Sequence, residues 1–162
     1  MTTKEYNECV DMWADGVFRF IVKNLRNEED ARDVVQNAFE VLWKNHEQIA
    51  VEKSKSYLFS TAYHNMIDFI RKQKRMDYVE EVDEGAKGGT SDYQVDLKEA
   101  LERALQQLPE IQRNVVLLRD YEGYSYEEIG EILELNESQV KVYIFRARQT
   151  LKKLLVSIHH LI

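Results

Sequence analysis

The chain has 162 residues, 44% apolar and 31% charged, with six glycines, one proline, one cysteine and a formal net charge of −7. That length admits one domain or two small ones, and the apolar content supports packed cores rather than wholesale disorder. No uninterrupted apolar run exceeds four residues, as at 115–118, far short of the ~18 residues of a membrane span. The first residues lack the basic-then-apolar layout of a secretory signal, and a lone Cys9 excludes an internal disulfide or a thiolate metal cage. The expectation is a soluble, cytoplasmic chain.

Strand signals are weak throughout, and apolar residues recur at the 3.6-residue helical period. Before residue 77 the pattern predicts four helical stretches, with 46–55 as an ill-defined connector. Asn27 caps a helix over 28–45, whose first turn holds Glu28, Glu29 and Asp30 where the macrodipole favours acid. Ala31, Val34, Val35, Ala38 and Leu42 form its buried arc. Asp33, Gln36 and Glu40 line the polar face, with Phe39 and Trp43 at the boundary. An acidic strip beside a large aromatic is either a protein-docking surface or the margin of the core.

The helix predicted over 56–74 buries Leu58, Ala62, Asn65, Met66 and Phe69. Its other side carries Tyr57, Ser60, Tyr63, His64, Ile67, Arg71, Lys74 and Arg75. Aromatics interleaved with cations suit unpaired bases, which stack on rings while their backbone meets positive charge. An amphipathic helix with a basic end has the same pattern. Residues 77–96 show neither periodicity and contain Gly85, Gly88 and Gly89, so they read as a linker between units 1–76 and 97–162. Seven acids against Lys87 give the linker a net charge of −6, while the flanking units are near neutral at 0 and −1. Nearly all the excess acid therefore sits in the tether, and the average hides two basic clusters, one at residues 71–75 and one at 141–153.

Four helices are predicted after the linker. Asp96 with Glu99 frames the first, Pro109 opens the next at Glu110, and Ser125 with Glu128 is a capping box. Asn136 with Gln139 resembles a second box. Helices 126–133 and 137–155, three residues apart, make a helix-turn-helix anchored by Ile129, Leu133, Leu135, Val140 and Tyr143. Gly130 lies where the two backbones must approach, and Glu134 holds the turn position that favours glycine. On the second helix Val140, Ile144, Ala147, Leu151, Leu154 and Ile158 form the buried stripe. Ser138, Val142, Phe145 and Gln149 lie opposite, flanked by Lys141, Arg146, Lys152 and Lys153. Cations can neutralise phosphates or reach guanine edges, and Val142 and Phe145 can meet thymine methyls. The alternative is a solvated basic face with Phe145 packed on a neighbour. The pair His159–His160 lacks a further ligand at metal-binding spacing. No nucleophile–base pair, phosphate-binding glycine loop or metal spacing points to catalysis.

The fold class is all-α, as two small helical domains. In combination the segments resemble the extracytoplasmic-function class of bacterial RNA polymerase sigma factors. Asp30-Ala-Arg-Asp-Val-Val-Gln-Asn-Ala-Phe-Glu-Val-Leu-Trp43 is similar to the family's region 2.2. Tyr57-Leu-Phe-Ser-Thr-Ala-Tyr-His-Asn-Met-Ile-Asp-Phe-Ile-Arg71, with Lys72-Gln-Lys-Arg75, is similar to regions 2.3–2.4. Leu108-Pro-Glu-Ile-Gln-Arg113 and Leu117-Leu-Arg-Asp-Tyr-Glu-Gly-Tyr-Ser-Tyr-Glu-Glu-Ile129 are similar to region 4.1 and the start of 4.2. Val140-Lys141 and Phe145-Arg-Ala-Arg148 fall in the family's recognition helix.

The resemblance implies a non-enzymatic initiation factor with no cofactor, no metal and no small-molecule substrate, whose partners are core RNA polymerase and promoter DNA. It implies that 1–76 docks on the polymerase through Asp33, Gln36, Phe39, Glu40 and Trp43. Tyr63, His64, Arg71, Lys74 and Arg75 would then meet the melted −10 element. In 97–162, Ser138, Gln139, Lys141, Val142, Phe145, Arg146 and Gln149 would read the −35 duplex. An anti-sigma partner is implied by family analogy. Departures are His64, where many members have Asn, and Val142-Tyr143, which replaces a frequent Ser-Arg. An acidic tether would discourage DNA binding away from the polymerase and could thread a basic polymerase channel. Two other readings stand beside this one: a stand-alone helix-turn-helix regulator with a sensing or dimerising N-terminal domain, and a helical protein-interaction module.

Overall fold

In a computed structural model of the chain, residues 1–79 and 97–160 are described, and every regular element among them is helical. Helix α1 (Thr3–Leu25) begins at a capping box in which the Thr2 hydroxyl accepts from the Glu5 N–H and Glu5 accepts from the Thr2 N–H. It ends on Arg26 in the left-handed region. Asn27 caps α2 (Glu28–Asn45) by accepting from the Asp30 N–H, as the sequence predicts. The connector resolves into two short 3-10 turns, His46–Gln48 and Val51–Lys53, around a buried Ile49. The N-terminal half thus has three α-helices, not four stretches, because the residues at 46–53 supply no continuous apolar face. Helix α3 (Ser54–Val79) is longer than predicted at both ends and carries the chain through Asp77 and Tyr78. The rest of the predicted linker, 80–96, and Asp96 with it, lie outside the described residues.

Helices α1, α2 and α3 pack around Val17, Phe20, Ile21, Ala31, Val34, Ala38, Leu42, Leu58, Phe59, Ala62 and Met66. Cys9 is buried beside Ser54, and burial raises its thiol above the ordinary range, which disfavours the thiolate. The C-terminal half comprises α4 (Leu97–Gln107), α5 (Glu110–Val116), α6 (Tyr126–Leu133) and α7 (Glu137–His160). Both predicted capping boxes form, since Ser125 and Glu128 bond reciprocally, as do Asn136 and Gln139. A Cβ at Gly130 would stand 2.5 Å from the Leu135 carbonyl oxygen, so the close approach of α6 to the turn admits only glycine. Glu134 takes φ 59°, the left-handed turn position expected of it.

Between α5 and α6 the helix widens into a π turn over Leu117–Tyr121, followed by Gly123 at φ 75°. Reversal here carries Glu122 and Tyr124 onto the N-terminal half. The Glu122 carboxylate, 4% exposed, accepts from Arg19 Nη2 at 2.9 Å and from Arg19 Nε at 3.2 Å. The Tyr124 ring lies edge-on to Trp13 and Phe59, with centroids 6.3 and 5.2 Å away, and the Lys55 ammonium sits 3.9 Å above it. Gly16 makes room: a Cβ there would come within 3.1 Å of Glu122 Oε1 and 3.5 Å of the Tyr124 hydroxyl. Arg113 donates to Asn24 Oδ1 at 2.7 Å, and Gln106 donates to the Lys23 carbonyl at 2.8 Å. Through these contacts the apolar cores of the two halves are continuous.

Three substitutions probe this packing. Gly130→Ala should lower stability by about 2 kcal/mol in urea denaturation, because the backbone clash outweighs alanine's helix propensity. Glu134→Gly should raise stability by about 1 kcal/mol by relieving the left-handed Cβ penalty. Arg19→Ala strands a buried carboxylate. It should weaken the contact between halves by about 2–3 kcal/mol, less than for a fully buried pair because Arg19 is half-exposed. Small-angle scattering checks it as an increased radius of gyration.

Candidate nucleic-acid interface

The outward face of α7 is built by a division of labour around the helix. Val140, Ile144, Ala147 and Leu151 are buried, while Leu154 is partly so. Ser138, Lys141, Val142, Phe145, Arg146 and Gln149 are all exposed, and Phe145 keeps 63% of its surface in solvent. The alternative in which Phe145 packs on a neighbouring helix is therefore not what forms. Arg146 has no side-chain partner among the described residues. Lys141 lies 3.5 Å from Glu137 Oε1 and 5.7 Å from the Tyr126 ring centroid, on an exposed edge. Gln139 is exposed, but its Oε1 is committed to the Asn136 N–H at 2.9 Å, so only its amide nitrogen is available outward. Arg148, from the same basic cluster, is drawn inward by Asp120 through bonds of 2.5 and 3.1 Å. Its role is to fasten α7 to the π turn, and the guanidinium accordingly holds its proton more firmly than usual, chiefly through the Asp120 bond.

The aromatic and basic residues of α3 fall into two groups. Arg71, Lys74 and Arg75 project from its exposed distal part. Tyr63 and His64 lie about 10–18 Å nearer its start, by the helical rise, and face the C-terminal half. Tyr63 is half-buried rather than exposed, and its hydroxyl donates to Glu110 at 3.3 Å. Burial, reinforced by the Glu110 charge and hydrogen bond, pushes the phenol up to about 12. His64 Nε2 stands 3.5 Å from Glu134, and its ring meets Tyr63 edge-on at 5.5 Å. Residues that sequence reasoning passed over meet the C-terminal half two to three turns before this pair. Lys53 Nζ is 3.2 Å from Glu131, the Ser56 hydroxyl donates to Glu131 at 2.9 Å, and Lys55 pairs with Glu128. Their partners are 70–80 residues away in sequence, a range at which helical periodicity carries no signal.

On α2, Asp33, Gln36 and Glu40 form an exposed stripe, with Phe39 half-buried and Trp43 43% exposed. Trp43 is held on two sides, stacked on His46 at 4.2 Å with planes 8° apart and edge-on to Tyr6 at 5.0 Å. The Tyr6 hydroxyl also donates to the Phe39 carbonyl at 3.1 Å. Neither Tyr6 nor His46 was legible as part of this surface, since one lies on another helix and the other in the aperiodic connector. Among the described residues no group of His, Cys, Asp or Glu could hold a metal ion, and no helix is long and apolar enough to cross a membrane.

Two family models match the chain in order, Sigma-70 region 2 over residues 9–76 and Sigma-70, region 4 over residues 98–151. The ECF RNA polymerase sigma factor SigM of Bacillus subtilis is 28% identical over 153 residues, covering 91% of this chain and 93% of that protein. SigW, an ECF RNA polymerase sigma factor from the same organism, is also 28% identical and covers 91% of this chain and 87% of its own length. Among solved structures, the sigma factor RpoE in complex with the anti-sigma factor NepR from Bartonella quintana superimposes with a TM-score of 0.78. It has 21% identity and covers 94% of this chain and 98% of that one. CnrH, in complex with the cytosolic domain of CnrY, has a TM-score of 0.72 and 21% identity, covering 96% and 90%. With both sigma regions present in the family's order on the predicted all-helical fold, the chain belongs to the extracytoplasmic-function sigma factors of RNA polymerase.

Proposed function

We propose that the two halves divide promoter recognition between them: residues 1–76 dock on core RNA polymerase and capture −10 bases, and residues 97–162 read the −35 duplex. As a sigma factor the protein directs transcription initiation with core polymerase and promoter DNA as partners. A stand-alone regulator is not favoured, because its N-terminal domain would have no reason to match sigma region 2. The single observation that carries the −35 assignment is the exposed apolar pair Val142 and Phe145, set among cations on a capped helix-turn-helix. Apolar side chains kept in water beside Lys141 and Arg146 match a major-groove floor of thymine methyls and guanine edges. Ser138, Gln139 and Gln149 complete that face.

For the −10 element, Arg71, Lys74 and Arg75 supply phosphate neutralisation and Tyr63 with His64 supplies rings for unpaired bases. For the polymerase, Asp33, Gln36 and Glu40 offer charge and hydrogen bonds beside a Trp43 ring that Tyr6 and His46 hold rigid. Phosphodiester chemistry is left to the polymerase, and the protein works in the cytoplasm. Both solved neighbours are complexes in which a second protein is bound, NepR in one and the cytosolic domain of CnrY in the other. An anti-sigma factor is the corresponding partner for this chain.

Run-off transcription with core polymerase and a genomic library tests the reading. New start sites sharing two motifs at fixed separation are expected. Their absence, with a known sigma factor active in the same preparation, overturns it. Arg146→Ala should lower discrimination between the promoter and a scrambled −35 element by about 1–3 kcal/mol if the guanidinium bonds a base edge. Equal losses on both DNAs would instead assign it to phosphate positioning. Trp43→Ala should weaken core polymerase binding at least about tenfold, on the scale of an interfacial aromatic anchor, and His46→Ala should produce a smaller loss in the same titration.

A further inference from the structure

Lys141 and Arg146 share the outward face of α7 but are held differently. Among the described residues no side chain pairs with Arg146, and it needs none, because a planar guanidinium carries the geometry of its donors in its own fork. Lys141 is a point charge on a flexible four-carbon stem, and such a stem favours one base edge over another only when something fixes it. Two groups meet its ammonium. Glu137 Oε1 lies 3.5 Å away, one turn earlier on the same helix, and the centroid of the Tyr126 ring on α6 lies 5.7 Å away. The second distance is within the ~6 Å reach of a cation over an aromatic face. The Lys141 side chain stays 57% exposed, so the contact orients the ammonium without covering it. The ring is itself fixed. Tyr126 is the first residue of α6, directly after the N-cap Ser125, whose capping box with Glu128 sets the backbone there. The Arg119 guanidinium stands 4.5 Å from the ring centroid, and its Nη1 donates to the Tyr124 carbonyl at 2.9 Å. A cation anchored in the π turn thus grips a half-buried ring, and the ring meets the cation of the recognition helix.

We propose that Tyr126 is a positioning residue for −35 recognition: its ring, held by Arg119, fixes Lys141 against one base pair of the major groove, and the residue at 126 thereby sets base preference through Lys141. This rests on the proposed −35 role of Lys141. Glu137 cannot supply the restraint alone. An exposed ion pair one turn apart is weak and screened by salt, and a carboxylate brought up to DNA is repelled by the phosphates. A neutral ring keeps its hold on the ammonium in the same surroundings. The ring acts through its face, so the phenol hydroxyl has no part in the effect and a phenylalanine would serve as well.

The test uses holoenzyme, the full chain with core RNA polymerase, and a promoter mapped by run-off transcription whose −35 element is then randomised. Sequencing the bound fraction reads the base preference at each position. Lys141→Ala identifies the base pair that Lys141 reads. Tyr126→Leu should weaken preference at that same pair by about two- to fivefold, the span of an exposed cation–π contact, and leave the pairs that Arg146→Ala alters unchanged. Tyr126→Phe should keep the wild-type preference. Adding Tyr126→Leu to Lys141→Ala should cost nothing further at that pair, because a residue that acts through another has no effect once the other is gone. Uniform loss at every position, additive losses in the double variant, or a Tyr126→Phe chain that behaves as Tyr126→Leu overturns the proposal, the last result assigning the hydroxyl to a phosphate instead. Circular dichroism accompanies each variant. Should Tyr126→Leu fail to fold, Tyr126→Met, which keeps the length without the ring, takes its place under the same criteria. If neither Lys141→Ala nor Arg146→Ala changes any preference, the −35 reading fails and the proposal with it. A Lys141 effect that the ring-less variant does not share sinks the proposal alone.

Discussion

Insertion of Glu122 and Tyr124 between α1 and α3 is the contact on which the arrangement of the two halves depends. A carboxylate left 4% exposed is tolerable only because Arg19 meets it with two nitrogen donors, and a tyrosine ring there needs the aromatic walls of Trp13 and Phe59. Burial accordingly drives the Tyr124 phenol far above its ordinary range, and nearby Glu122 and Glu128 add to the shift. The same insertion accompanies the packing of α6 against α3, where Glu134, at the end of α6, stands 3.5 Å from His64. Position and electrostatics are therefore set by one loop.

The helix-turn-helix is electrically two-sided. Helix α6 and its flanks carry Glu127, Glu128, Glu131 and Glu134, while α7 presents Lys141, Arg146, Lys152 and Lys153. A formal charge near zero for this half thus describes neither face. The side with acid looks toward the N-terminal half, and the side with cations looks outward. Arg148 joins the two layers by reaching from α7 to Asp120, and it belongs to the scaffold although it sits in the basic run.

Much of the fold was legible in the sequence because helix signals are local. Asn27, Pro109, Ser125 and Asn136 mark starts through bonds made within three or four residues, and the arcs of α2 and α7 repeat at one period. The demanding backbone positions were legible for the same reason, with Gly130 and Glu134 each standing at a fixed offset in a short turn. What pattern could not supply was which surface meets which. Phe59 is fully buried although it falls between the two faces read on α3, because Tyr124 covers it from another domain. Tyr63 reads as an exposed ring for the same reason, its partner Glu110 being 47 residues away. The Trp43 surface shows the intermediate case: the exposed polar stripe on α2 was visible, whereas the rings that steady Trp43 come from Tyr6 and His46.

The π turn gives this chain a local tolerance of length. It accommodates one more residue than an α-helix would between Leu117 and Glu122, whose N–H bonds back five positions to the Leu117 carbonyl. Removing a single residue from 117–121 would let the segment wind as ordinary α-helix, with the Glu122 N–H still bonded to the Leu117 carbonyl, now four positions back. Glu122 and Tyr124 would keep their places against α1 and α3, and the capping boxes would stay intact. The extra residue is thus absorbed locally as a bulge, and a one-codon change there leaves the two halves coupled.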